Sequence, residues 1–230
     1  MLPVPVIREH AGFYVVRDDL LPGGTKRRVI QPLVHASPYQ EFVYASPAYG
    51  YAQLALAYAC RDCGKQATIF TAKRKIPHPL TQAAKQAGAK VVMVPHGYLS
   101  NVQSKARQYA AKVGANYVPF GVDTDESLDS IASAALQIGF VPAEVWTVSG
   151  SGTLSRGLQR AWPDAEFHTV LIGKKDANVG KAITYEAPEK FEQDAKKPPV
   201  WPSCANYDAK MWQFVIKHAK PGALIWNVGS

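Results

Sequence analysis

Two short stretches of the chain combine glycine with residues that can do chemistry. Residues 23–26 read Gly-Gly-Thr-Lys, and residues 145–159 read VWTVSGSGTLSRGLQ. A lysine in a partly desolvated position loses its proton more easily and becomes a nucleophile, and we expect the cations Arg27 and Arg28 to lower its pKa further. A solvated lysine at a helix start is the alternative, but a helix N-terminus disfavours a cation. The first stretch therefore predicts a nucleophilic amine at Lys26.

The second stretch predicts a cup for a phosphate group, made by Ser149, Gly150, Ser151, Gly152 and Thr153. Glycines let the backbone approach an anion, the N–H groups of a helix start point into the turn, and the hydroxyl groups add donors. The stretch is not a P-loop, because no Gly-Lys-Ser/Thr follows, and it does not complete a GxGxxG pattern. A tight strand-to-helix connection without a ligand is the alternative interpretation.

Apolar segments with strand and helix patterns alternate along the chain and must position these two turns. We predict strands at residues 13–17, 41–45, 67–71, 90–94, 117–120, 145–148, 167–172 and 223–227. We predict helices at residues 27–34, 51–60, 80–87, 101–112, 127–137, 154–161 and 207–218. This alternation is typical of an α/β fold, in which helices cover both faces of a parallel sheet.

Residues 174–206 break the alternation, since they are rich in Lys, Glu and Pro and contain KKPPVWPSC. Paired prolines exclude a continuous helix, so we predict a long surface connection with Trp201 and Tyr207 as open aromatic anchors. A poorly ordered first half is the alternative.

The charge balance favours an anionic partner. The 230 residues include 26 Lys and Arg against 18 Asp and Glu, for a net charge of +8. The basic residues cluster at positions 26–28, 73–75, 174–175 and 196–197. Phosphate groups, a carboxylate substrate and nucleic acid all fit such a surface, as does a merely solvated one.

The number of cysteines and the hydropathy of the sequence predict the cellular compartment of the protein. Three cysteines make an odd set, which favours a reducing environment, and no apolar run approaches the roughly 18 residues of a membrane helix. We therefore expect a cytoplasmic protein without a membrane partner. Cys60 and Cys63 have CxxC spacing, but they close an alanine-rich helical run and no second ligand pair follows, so we expect packing residues and no metal site.

Residues 15–34, VVRDDLLPGGTKRRVIQPLV, resemble the KRDDL…GGNKxRKLE segment of the aminocyclopropane-carboxylate deaminase and D-cysteine desulfhydrase group. These are pyridoxal-phosphate enzymes of the tryptophan-synthase-β-like fold, or fold type II. Four further segments are similar to family motifs in the same order: SPAYGYAQLALAYACRDCG (46–64), VSGSGT (148–153), NYDAKMW (206–212) and GALIWNVGS (222–230).

The resemblance implies pyridoxal 5'-phosphate as cofactor, bound covalently by Lys26 as a Schiff base, with its phosphate held by residues 149–153. It implies two parallel-sheet lobes wrapped by helices, the larger formed by residues 1–44 and 122–230 and the smaller by residues 45–121. The chain is a compact version of this fold, and we expect a homodimer.

The chain departs from the family at two places. Where the family carries Asn against the ring hydroxyl, this chain has Tyr49 or Gly50, and we expect Tyr49 and Tyr51 to orient the substrate carboxylate or the leaving group. Where the family has the threonine of HTGG, this chain has Val228, so we predict Asn227 and Ser230 as cofactor-binding residues, with Ser230 at the ring nitrogen.

The function that the resemblance implies is that of a pyridoxal-phosphate-dependent lyase or deaminase. It would act on an amino acid through an external aldimine, with the released Lys26 as acid and base. One alternative is an enzyme that acts, for example by decarboxylation, on an amino acid attached to a modified base in DNA hypermodification. Another is a non-catalytic phosphate- or nucleic-acid-binding protein on the same scaffold.

Overall fold

The computed structural model describes residues 2–95, 97–173 and 176–230, which form two compact units. Unit 1 comprises the chain up to Arg28 together with Asp123–Ser230, and unit 2 comprises Val29–Val122. The first boundary differs from the expected one after residue 44, because the strand at Glu41–Ala45 pairs only with strands of unit 2.

Ten strands and seven α-helices follow one another along the described residues. The strands are β1 (Ile7–His10), β2 (Phe13–Arg17), β3 (Glu41–Ala45), β4 (Gln66–Ala72), β5 (Lys90–Val94), β6 (Asn116–Val118), β7 (Glu144–Ser149), β8 (Glu166–Leu171), β9 (Ile183–Glu186) and β10 (Leu224–Asn227). The helices are α1 (Gly24–Ala36), α2 (Ala52–Asp62), α3 (Pro79–Gln86), α4 (Leu99–Val113), α5 (Asp125–Leu136), α6 (Thr153–Ala161) and α7 (Trp212–His218). Short 3-10 helices lie at Asp18–Leu20, Phe120–Val122 and Asp208–Met211.

The sheet of unit 1 has the strand order β1-β2-β10-β7-β8-β9. All neighbours are parallel except β1 and β2, which form an antiparallel pair at one edge. Every residue of β7 and β10 is buried, as expected for central strands covered on both faces. Its core contains Val15, Trp146, Val148, Val170 and Ile225.

The sheet of unit 2 has the order β5-β4-β3-β6, and all its strands are parallel. Residues Val43, Ala45 and Phe70 pack against the small apolar residues Val102 and Ala106 of α4. The predicted α/β class is thus confirmed, with helices and parallel strands in both units.

The strands β1 and β9 were not predicted from the sequence, and both lie at edges of the sheet of unit 1. β1 turns into β2 through Ala11 and Gly12, whose φ values of 51° and 80° are those of a two-residue hairpin turn. β9 is a four-residue strand without a buried residue, and it lies within residues 174–206, which were predicted to be a surface connection. The predicted all-parallel sheet therefore carries one antiparallel edge strand in unit 1.

The segment that follows β8 is also more ordered than predicted. It contains β9, and Trp201 is only 5% exposed, with its ring 5.0 Å from the rings of both His10 and Trp212. Lys210 is fully buried and donates from Nζ to the carbonyl oxygen of Lys190, 2.8 Å away. The prediction of an open aromatic surface at Trp201 is therefore wrong, because the indole belongs to the core of unit 1.

No helix among the described residues is both long enough and apolar enough to cross a membrane.

Candidate active site

Lys26 lies in the first turn of α1, directly after two glycines with left-handed backbone. Gly23 and Gly24 have φ values of 91° and 62°, which other residues rarely adopt, so the entry into the helix requires glycine here. The side chain keeps part of its surface accessible to solvent, but the protein atoms around it desolvate the ammonium group. This desolvation lowers the pKa of Lys26 to about 8, although the carboxylate of Asp123 opposes the shift. A substantial fraction of the Lys26 amine is therefore in the neutral, nucleophilic form near physiological pH.

The two arginines that follow Lys26 do not contribute to this shift, contrary to the expectation from the sequence. Arg28 forms a 2.7 Å salt bridge with Asp18, and Arg27 donates to the carbonyl oxygen of Pro22 at 3.0 Å. Both side chains are buried and engaged in bonds that hold the turn. Burial of Lys26 itself lowers its pKa.

A buried polar network fixes the residue that precedes Lys26. The Asp18 carboxylate accepts hydrogen bonds from the Thr25 hydroxyl at 2.8 Å and from the Trp226 indole at 3.2 Å, in addition to the Arg28 pair. The Thr25 backbone N–H donates to the carbonyl oxygen of Val228 at 2.9 Å. The turn that carries Lys26 is thereby bonded to β10 and to the segment after it.

The predicted phosphate cup connects β7 to α6. Gly152 has a φ of 86°, and a Cβ atom there would lie 1.8 Å from the carbonyl oxygen of Asn178, so only glycine fits. A Cβ atom at Gly150 would meet no atom closer than the Tyr207 hydroxyl at 3.5 Å. Ser151 and Thr153 share a hydrogen bond of 2.9 Å between their hydroxyl groups at the start of α6. The backbone thus leaves a cradle beside Gly150, at a helix N-terminus that favours an anion.

One atom in the cup indicates that a ligand belongs there. Within residues 2–95, 97–173 and 176–230, Ser149 Oγ is the one buried side-chain nitrogen or oxygen without a hydrogen-bond partner. An unsatisfied buried hydroxyl costs about 1–3 kcal/mol, so folded proteins rarely leave one unless a ligand or water completes it. A phosphate group fits this donor set of hydroxyls and backbone N–H groups.

Asp123 is the common neighbour of Lys26 and the cup. Its Oδ1 accepts a hydrogen bond from Thr153 Oγ1 at 3.2 Å and forms a salt bridge with Arg156, and its charge acts on Lys26. Arg156 offsets the negative charge that Asp123 would otherwise present to an anion in the cup. The structure therefore brings the predicted nucleophile and the predicted anion site together within unit 1.

Tyr207 and Asp208 lie beside these groups and were not predicted as site residues. The Tyr207 hydroxyl lies beside Gly150 of the cup, and burial raises the pKa of this phenol. The Asp208 carboxylate accepts hydrogen bonds from the backbone N–H groups of Cys204 at 2.7 Å and Val228 at 2.8 Å. Burial nevertheless raises the pKa of Asp208 to about 7. The similarity of NYDAKMW to a family motif was the available signal for both residues.

Asn227 and Ser230, which were predicted to contact the cofactor, lie at the end of unit 1. The side-chain carbonyl of Asn227 accepts a hydrogen bond from Ser203 Oγ at 2.7 Å, and its amide nitrogen donates to Asp19 Oδ1 at 2.8 Å and to the carbonyl oxygen of Pro202 at 2.9 Å. Ser230 is the exposed last residue. The cofactor contacts of both residues stay predictions.

Tyr49 and Tyr51 lie in unit 2, in the turn between β3 and α2. The Tyr49 ring contacts the His78 ring, with 4.6 Å between centroids, and the Arg74 guanidinium lies 5.7 Å from the Tyr49 ring. Gln53 braces this turn by donating to the carbonyl oxygens of Ala48 and Gly50 at 3.1 and 3.0 Å. The catalytic roles of Tyr49 and Tyr51 stay predictions.

The structure places Cys60, one of the two cysteines with CxxC spacing, inside α2. Cys60 is buried, and burial raises the pKa of its thiol to about 12, which suits a packing residue.

Glu144, Glu166 and His168 lie close enough to share a metal ion, but Lys220 already forms salt bridges with both carboxylates. Lys220 thus supplies a counter-charge to both carboxylates.

The basic clusters do not share one environment. Positions 26–28 belong to the buried network already described, whereas residues 73–75 and 196–197 are exposed. Lys174 and Lys175 lie outside the described residues.

Three solved structures show what this architecture is similar to. An ACC deaminase homologue has a TM-score of 0.80 at 13% identity, covering 94% of this chain and 84% of the other. A threonine deaminase from T.th. has a TM-score of 0.71 at 14% identity, covering 94% and 86%. Diaminopropionate ammonia lyase of Escherichia coli has a TM-score of 0.66 at 14% identity, covering 95% and 77%.

The chain has the fold of the fold type II pyridoxal-phosphate enzymes. The similarity in fold to an ACC deaminase homologue agrees with the group that residues 15–34 resemble. A scan against models of protein families gives no match, and a search among curated proteins gives none either. The fold type II assignment thus rests on the structure and on local motifs.

Proposed function

We propose that this chain is a pyridoxal-phosphate-dependent enzyme of the lyase or deaminase class that acts on an amino acid. One observation carries the proposal. Asp123 joins an amine of lowered pKa, Lys26, to a glycine-rich cup in which the Ser149 hydroxyl has no partner. A molecule with both an aldehyde and a phosphate group satisfies both features at once.

The cup would hold the phosphate of the cofactor. Ser149 supplies a hydroxyl donor without a partner in the chain, and we propose that Ser151 and Thr153 line the cup beside it. The backbone at Gly150 and Gly152 allows close approach at the start of α6. Lys26 would bind the aldehyde carbon covalently. With a pKa of about 8, a substantial fraction of its amine is neutral near pH 7.5 and able to attack.

When bound, pyridoxal phosphate supplies an electron sink for the bonds at the substrate's α-carbon. Lys26 then has a second role, because a displaced amine with a pKa of about 8 takes and returns a proton at that carbon near neutral pH. Tyr49 and Tyr51 are proposed to orient the substrate carboxylate or the leaving group. The names of the structural neighbours include two ammonia-releasing enzymes, and we propose the same kind of elimination here.

We propose Asp208 as the partner of the pyridine nitrogen, in place of Ser230. A buried carboxylate is one kind of group that stabilises a pyridinium cation in pyridoxal-phosphate enzymes. Asp208 bonds to the backbone of Val228, and the carbonyl of Val228 in turn bonds to Thr25, the neighbour of Lys26. The carboxylate therefore lies near the Lys26 turn without being exposed.

The test is reconstitution of the purified chain with pyridoxal phosphate, followed by borohydride reduction and peptide mapping. We expect a visible absorption band and a permanent label on Lys26. Lys26→Ala should lose both, whereas Lys217→Ala, at an exposed helix position, should keep both. A wild-type chain that gains neither band nor label contradicts the proposal.

A further inference from the structure

The carboxyl edge of the sheet in unit 2 carries a cleft that the proposed chemistry does not yet use. β3, β4 and β5 are parallel and end at Ala45, Ala72 and Val94, so the segments that follow them meet at one edge. In open α/β sheets, ligands bind outside the carboxyl ends of the strands. This edge is therefore where a ligand of unit 2 belongs.

Among the described residues, the cleft is lined by Ala72, Lys73, Arg74, Lys75 and Ile76 at and after the end of β4, and by Gly97 after β5. A second, small cavity lies between the turn after β3 and the segment after β4. Its lining includes Ala48, Arg74 and His78. Arg74 is common to both, so the cleft continues toward the turn that contains Tyr49.

The cleft is positively charged, and its cations are not neutralised by the chain. Lys73, Arg74 and Lys75 are exposed, and none of them forms a salt bridge with any carboxylate in the described part of the chain. Surface cations elsewhere do pair, as Arg160 does with Asp125 and Asp129. Three like charges beside a concave surface repel one another and attract an anion.

Arg74 and His78 connect the cleft to Tyr49. The Tyr49 ring lies under the Arg74 guanidinium, and the His78 ring meets it edge to face at an interplanar angle of 61°. His78 Nδ1 accepts a hydrogen bond from the Leu80 N–H at 3.3 Å, which leaves the proton of the neutral ring on Nε2. An anion in this position would meet a guanidinium fork and an imidazole N–H donor.

We infer that this cleft is an anion subsite of unit 2, which binds a small molecule with a carboxylate or a phosphate group. Both groups fit three clustered cations beside a guanidinium fork. A nucleic acid is disfavoured, because it requires an extended stripe of cations, whereas the cations that line this cleft are the three consecutive residues Lys73, Arg74 and Lys75.

Succinate binding to the full chain, measured by calorimetry, tests the subsite without any need for catalysis. We expect Lys73→Gln/Lys75→Gln to weaken binding roughly five- to tenfold, since each exposed charge contributes a modest amount. The matched control, Lys196→Gln/Lys197→Gln, removes the same charge from an exposed position in unit 1 and should change binding less than twofold. Repeating the titration with inorganic phosphate shows whether the cleft prefers a phosphate or a carboxylate. Both double variants keep the cup at residues 149–153, so a difference between them reports on the cleft.

Equal weakening in the two double variants, or no measurable succinate binding by the wild type, overturns the inference. So does duplex DNA that displaces succinate and binds with steep salt dependence. Because succinate has no amino group, its binding does not depend on the cofactor. A chain that binds succinate but no pyridoxal phosphate would therefore contradict the proposed function and leave the subsite standing.

Discussion

The backbone N–H of Thr25 donates a 2.9 Å hydrogen bond to the carbonyl oxygen of Val228, two residues before the end of the chain. The N–H of Val228 donates in turn to Asp208 at 2.8 Å. Lys26 therefore follows a residue whose position depends on the last strand and on a buried carboxylate. These two hydrogen bonds explain how a turn with two consecutive glycines keeps Lys26 in a desolvated position.

Ser149→Ala is expected to have opposite effects on the empty and the loaded protein. Removal of a buried hydroxyl without a partner should raise the free energy of unfolding of the empty chain by about 1 kcal/mol. The same change should weaken pyridoxal-phosphate binding about tenfold, because one phosphate donor is lost. Denaturant unfolding and cofactor titration measure the two effects.

The control for this prediction is Thr147→Val, two residues earlier on the same strand. Thr147 Oγ1 shares a 2.7 Å hydrogen bond with Thr169 Oγ1, so its loss should destabilise the empty chain without weakening cofactor binding. If Ser149→Ala instead destabilises the empty chain and leaves cofactor affinity unchanged, the hydroxyl has a purely structural role.

Gly150→Val should weaken cofactor binding more than tenfold and leave the chain folded. The added side chain meets only the Tyr207 hydroxyl at an ordinary contact distance, but it fills the space that a phosphate would approach. Gly152→Ala provides the contrast, because its Cβ atom would overlap the Asn178 carbonyl and should also lower the thermal midpoint. Unchanged cofactor affinity in Gly150→Val would show that the turn is only a connection.

The rate at which Lys26 captures pyridoxal phosphate should rise with pH through a midpoint near 8, well below the ordinary lysine value of 10.5. Only the neutral amine attacks, so the rate follows deprotonation. Asp123→Asn should move this midpoint to lower pH, since the carboxylate favours the ammonium form. Asp164→Asn, at an exposed position, should leave the midpoint in place, and a midpoint unchanged in both variants would count against the electrostatic effect of Asp123 on Lys26.

Asp208 should make the stability of the protein depend on pH between about 4 and about 7. Its pKa is raised from 3.8 to about 7, so in this range the folded chain holds a proton that the unfolded chain has released. The contribution of Asp208 to the free energy of unfolding therefore falls as pH rises from 4 to 7 and stays constant above that. Chemical unfolding at several pH values should show a flatter profile for Asp208→Asn than for the wild type. Parallel profiles would place the titration on another group.

Local patterns in the sequence were enough to predict much of this protein. The strands β2, β3 and β5 lie at the predicted residues, because buried parallel strands are short apolar runs bounded by turns. The glycine turn before Lys26 and the turn at residues 149–153 were likewise found from neighbouring residues alone. The edge strands β1 and β9 were missed, because each has only four residues and none of them is buried, so neither contains a run of apolar core residues.

The residues that complete the site were decided by the tertiary structure. Asp123 meets Thr153 thirty residues away, and Val228 meets Thr25 across almost the whole chain. Of the two causes expected for the low pKa of Lys26, desolvation is present and the neighbouring arginines do not contribute, because Asp18 neutralises Arg28 and Arg27 bonds to Pro22. Desolvation and hydrogen bonding depend on which atoms surround a group, and for a folded chain most of those atoms come from distant parts of the sequence.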